Sequence, residues 1–94
     1  MNRCIIRIIE NAAGLPCPEA GMYVRSMDFE ALAGRGFLTC TAHPAEALEF
    51  ASPAEALSFY QTTPKNHPRR LWDRRPNRPL TTYTIELVAL PATN

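Results

Sequence analysis

The chain has 94 residues, 46% of them hydrophobic and 20% charged, with a formal net charge of +1. That length supports one core and excludes a deep cleft between two domains, and the apolar content excludes wholesale disorder. The small net charge conceals a segregation: residues 64–80 set Lys65, Arg69, Arg70, Arg74, Arg75 and Arg78 against Asp73, a local net of +5, while the rest of the chain nets −4.

Taken in chain order, CIIRII at 4–9 is rich in β-branched residues and predicts a strand. Two prolines and two glycines mark 11–21 as a loop. MYVRSM at 22–27 alternates, placing Met22 and Val24 on one face and Tyr23 and Arg25 on the other. The following DFEALAGRG offers Asp28 as a helix cap and ends in Gly34-Arg35-Gly36, predicting a single helical turn or an open loop. FLTCT at 37–41 reads as a third strand.

A near-repeat comes next, PAEALEF at 44–50 and PAEALSF at 53–59. Each proline suits a first helical position, where its missing N–H leaves nothing unsatisfied. Ser52 and Glu55 form a capping-box pattern, so the second copy predicts the main helix, about 53–62. The first copy has room for one turn, followed by a short strand at 48–51. Four prolines in 64–79 make helix or central strand improbable there. TTYTIELVAL at 81–90 alternates again and predicts the last strand. These elements predict a single α+β domain over 1–94, a mostly antiparallel sheet of four or five strands packed against one main helix, with 64–80 as a basic Pro-rich loop within it.

The basic segment admits three readings. As a solvated loop, its Leu71 and Trp72 fold back over the core. As a protein-docking element, Trp72 is an anchor and the arginines pair with carboxylates. As a nucleic-acid element, the arginines hold phosphates and the indole stacks on a base. No RNP, KH or zinc-finger signature accompanies it. Arg69, Arg70, Trp72, Arg74, Arg75 and Arg78 are the candidate contact residues, with Arg35 on its Gly-Arg-Gly tip as a further one.

Catalytic and metal patterns are sparse. Cys40 and His43 have a C-x2-H spacing that Cys4 and Cys17 would have to complete, but the latter two are thirteen apart and form no close pair. No cysteine stands at a marked helix N-terminus, and Gly34-Arg35-Gly36 lacks the lysine and helix of a phosphate loop. We therefore expect neither enzyme activity, nor a metal, nor a cofactor. Three cysteines are an odd set without a CxxC pair, the N-terminal apolar run is broken by Arg7, and no window approaches the ~20 apolar residues of a membrane span. The expectation is a cytoplasmic protein with reduced thiols and no membrane partner. A homodimer through residues 82–90 requires that this strand lie at a sheet edge.

Met22-Tyr-Val-Arg-Ser, Gly34-Arg-Gly, His43-Pro-Ala-Glu-Ala, Phe50, the PAEAL helix and Pro76-Asn-Arg-Pro-Leu-Thr-Thr-Tyr-Thr together resemble a family of small uncharacterised proteins of proteobacteria and their phages and prophages. The likeness covers most of residues 20–90. It implies a setting, since small phage-borne proteins often bind and block a host machine, anti-CRISPR proteins among them, and it carries no activity with it. Many such inhibitors mimic DNA with an acidic surface, whereas here the acidity lies outside 64–80 and is modest. The resulting expectation is a non-enzymatic binding protein that docks on a host protein or nucleoprotein complex, possible anti-CRISPR-like inhibition included; the alternative is direct nucleic-acid binding through the loop 65–78.

Overall fold

The structure is a computed structural model, and it describes residues 3–91. The ends of the expected domain, 1–2 and 92–94, lie outside the described residues. Four strands, β1 (Cys4–Asn11), β2 (Tyr23–Asp28), β3 (Phe37–Thr41) and β4 (Tyr83–Ala89), form one antiparallel sheet in the order β3-β2-β1-β4. Each of these four lies within about two residues of the limits expected from the sequence, as pattern-derived boundaries generally do. The strand order, which the pattern did not contain, puts the most apolar strand inside. Cys4, Ile5, Ile6 and Ile8 of β1 are all buried. Strand alternation sends Cys4, Ile6 and Ile8 to one face, where they form the core with Val24, Phe50 and Ala56.

The sheet splits at one end. β1 pairs with β4 along its length, from Cys4 opposite Ala89 to Asn11 opposite Tyr83, but with β2 only at Arg7 opposite Tyr23. Into the gap comes the chain at 48–50. Leu48 N donates to Val24 O at 2.9 Å, and Phe50 exchanges backbone hydrogen bonds of 2.9 and 3.0 Å with Cys4. The short strand expected at 48–51 is therefore a single bridge, and the sheet has four strands and not five. Ser52 and Pro53 follow at once and commit the chain to a helix, which leaves no length for a fifth strand.

That helix, Pro53–Tyr60, forms as its cap predicts. Ser52 Oγ accepts from Glu55 N at 3.3 Å, while the Glu55 carboxylate reaches back to Ala51 N at 2.9 Å, one residue earlier than in the standard box. It ends at Tyr60, two residues before the expected limit. Thr62 and Thr63 precede Pro64, whose ring disfavours the helical region for the residue before it. Ala56 is fully buried against the sheet, and Phe59 packs on Phe50 and Phe29 with ring centroids 5.1 and 5.2 Å apart. The first copy of the repeat makes only the 3-10 turn Pro44–Glu46. Its Glu46 is held by Thr41 Oγ1 at 2.8 Å, and the pull of Val24 O on Leu48 ends it.

Of the two forms expected for this segment, a single helical turn or an open loop, the chain takes a single turn at Ala31–Gly34, though not one that Asp28 caps as a right-handed helix. Leu32 and Ala33 have φ of 54° and 56°, a left-handed path, and Asp28 Oδ1 accepts Glu30 N at 3.1 Å in a local Asx turn. β3 and β4 are the sheet's edges, so β4 holds the position that strand pairing with a second copy requires. Among the described residues no helix is long and apolar enough to cross a membrane.

Candidate functional site

From Pro64 to Arg78 the Pro-rich segment is neither helix nor central strand, and only its last residues, Pro79 and Leu80, enter a 3-10 turn, Pro79–Thr82; it is nevertheless ordered by hydrogen bonds at its base and its tip. At the base, Pro64 is fully buried, and the amides of Lys65 and Asn66 donate to the two carboxylate oxygens of Glu30 at 2.6 and 3.0 Å. These two amides, Asn66's first, hold the Glu30 carboxyl below the usual carboxylate range. Asn77 closes the far side: its Nδ2 donates to Gly34 O at 2.7 Å and to His67 O at 3.0 Å. Gly34, at φ +86°, is buried against His67, and a Cβ there would collide with the Cβ and ring Cγ of His67. The Gly34-Arg35-Gly36 turn and the basic segment are thus packed together.

Between these anchors the chain makes a tight hairpin. Arg69 bridges Pro76, Arg70 N donates to Arg75 O at 2.9 Å, and Arg74 N donates to Arg70 O at 3.0 Å. Arg74 takes a positive φ of 59° to turn the corner. Asp73 forms an ion pair with Arg70 and accepts Arg75 N at 3.0 Å. The Arg70 guanidinium lies 5.3 Å from the centroid of the Trp72 ring, a cation–π stack. At the tip, Leu71 is 94% and Trp72 76% exposed.

This overturns the reading in which Leu71 and Trp72 fold back over the core. The short hairpin turns them away from the body, and Pro64, Pro79 and Leu80 supply the burial at its foot. Arg69, Arg74, Arg75 and Arg78 are exposed, as is Arg35, and among the described residues none of the five has an acid within ion-pair distance. Arg70 alone of the seven candidates is half-buried and neutralised. Glu30, Gly34, His67, Asp73 and Asn77, which build the site, were not among the candidate contact residues read from the sequence. Asp73 carried a signal, as the one acid in the basic segment. Glu30 and Asn77 carried none, because their contacts lie 35 and 43 residues away along the chain.

The remaining chemistry-bearing residues do not assemble. Cys40 packs against the core while His43, two residues past β3, is exposed. Among the described residues no group of three or more His, Cys, Asp or Glu side chains could hold a metal ion. Burial pushes the Cys40 thiol up, with Glu19 and Cys17 adding to the effect, and burial does the same to Cys4. Both changes lower the thiolate fraction on which nucleophilic attack depends. An open groove of about 600 Å³ runs between residues 27–30 and 62–66, but its carboxylate, Glu30, is already engaged by the Lys65 and Asn66 amides. No protein-family model, no curated protein and no solved structure matches the chain.

Proposed function

We propose that this chain is a non-catalytic docking protein that grips a partner protein with the 69–76 hairpin. Trp72 and Leu71 enter an apolar pocket, and Arg69, Arg74, Arg75, Arg78 and Arg35 pair with carboxylates around its rim. One observation carries the reading: two large apolar side chains stand largely in water at the apex of a hairpin that is itself well braced. Burying such side chains contributes roughly 1.5–3 kcal/mol each, and this fold leaves that unrealised. A tryptophan surrounded by arginines has the composition of an interface hot spot.

Two features favour a protein over a nucleic acid. Leu71, the most exposed large apolar residue, offers a phosphate or a base edge nothing, yet suits an apolar pocket. Asp73 places a carboxylate at the apex, beside the one ring that would stack on a base. The motif resemblance supplies the setting: a phage or prophage protein acting in the bacterial cytoplasm by binding, and so modulating or inhibiting, a host machine in the manner of an anti-CRISPR protein.

The experiment is capture from a bacterial lysate with the tagged chain, with and without nuclease, followed by salt titration of the purified complex. A discrete protein retained after nuclease, with a shallow salt dependence, supports the reading. Loss of all material on nuclease treatment, with log K falling at a slope of about −4 to −5 against log salt, would transfer the function to nucleic-acid binding through four to six phosphate contacts.

A further inference from the structure

We infer that Asp73 is the positioning residue of this hairpin: its carboxylate fixes the Arg70 guanidinium against the Trp72 ring and closes the turn, so that the indole meets its partner already oriented. The inference rests on the docking reading above and adds the device by which the tip is held.

Asp73 stands at the meeting point of both halves of the turn. Its Oδ1 accepts Arg70 Nε at 3.0 Å and Arg75 N at 3.0 Å, and its Oδ2 pairs with Arg70 Nη2. A two-point grip on the guanidinium fixes the plane of the group, which a single contact does not. The guanidinium carbon so held stands over the Trp72 ring, 5.3 Å from its centroid. Arg70 thus occupies one side of the ring, and the indole, still 76% exposed, is left to a partner on its others.

Such a partly exposed pair at the surface contributes little to folding, in the range of surface ion pairs generally. Its consequence is geometric. A bare tryptophan on a turn samples several rotamers and must lose that freedom on docking, whereas one stacked beneath a fixed guanidinium has lost much of it beforehand. The charge needed for this is secure at neutral pH. Partial desolvation is the largest influence on Asp73 and opposes ionisation, but the Arg75 amide and the Arg70 guanidinium together outweigh it and hold the carboxyl below its ordinary range. Asp73 also places a negative charge beside Arg70 and Arg75, offsetting like charges brought into one turn.

The protein carries one tryptophan, so its fluorescence reports this site alone. In the isolated full-length chain, Asp73→Ala should add a fast component to the Trp72 anisotropy decay and raise acrylamide quenching as Arg70 leaves the ring. Arg70→Lys keeps the charge and the Asp73–Arg75 turn but loses the planar fork, and should loosen the indole in the same way. Both variants should weaken capture of the partner by about three- to tenfold, the cost of ordering one or two side chains. Unchanged anisotropy and quenching in Arg70→Lys would overturn the inference, whatever happens to capture and whether or not Asp73→Ala keeps its hairpin. Failure of the docking reading itself is separate, and would show as undiminished capture by Trp72→Ala.

Discussion

Gly34 links the two parts of the surface, and its side chain is the smallest there is. At φ +86° a non-glycine residue is strained, and a Cβ would be driven into His67. Gly34→Ala should therefore destabilise the domain by about 1–3 kcal/mol, the scale of such backbone strain, and lower its urea midpoint. An unchanged midpoint would mean that the turn and the basic segment are not packed as described. The same residue shows the limits of a linear reading. Gly34-Arg35-Gly36 was legible as a turn with an exposed arginine, because glycine's freedom is a local property. That the turn is clasped by Asn77 and His67 was not, because the pairing joins side-chain amide to carbonyl across 43 positions and leaves no periodic trace.

Among the elements, the helix Pro53–Tyr60 was the most legible, since capping chemistry is written in adjacent residues. Ser52→Ala removes the acceptor for Glu55 N and should cost about 1 kcal/mol, read as a lowered thermal midpoint. The basic segment should respond to acid. Glu30 is held below its ordinary value of 4.5 by the Asn66 and Lys65 amides, so its contribution is fully present above that value. It is lost as pH falls through the lowered folded value. Melting between pH 7 and 3 should show this loss, and Glu30→Gln should show less of it, having already surrendered the charge. A Glu30→Gln acid profile identical to the parent's would remove Glu30 from the latch. Of the four or five strands expected, the fifth, at 48–51, is the one that does not form. Leu48 and Phe50 alternate with Glu49 as in a strand, but only the divergence of β1 from β2 decides how many of these residues pair, and that is tertiary.

For the whole molecule, the average charge of +1 describes no part of its surface. The molecule is 48 Å long, and the Debye length at physiological salt is about 8 Å, so a partner at the hairpin responds to the local arginines and not to the mean. That segregation was plain in the sequence, as was the α+β class. Whether Trp72 faced inward or outward was not, because composition alone is equally consistent with a core cover and a docking tip. The central claim is that Trp72 serves binding and not folding, and Trp72→Ala tests it most directly when thermal melting and nuclease-treated capture are measured on the same preparation. The account predicts a stability change within about 0.5 kcal/mol, as for exposed residues generally, together with loss of the captured protein. A variant that melts several degrees lower, or one that still captures its partner in full, would contradict it.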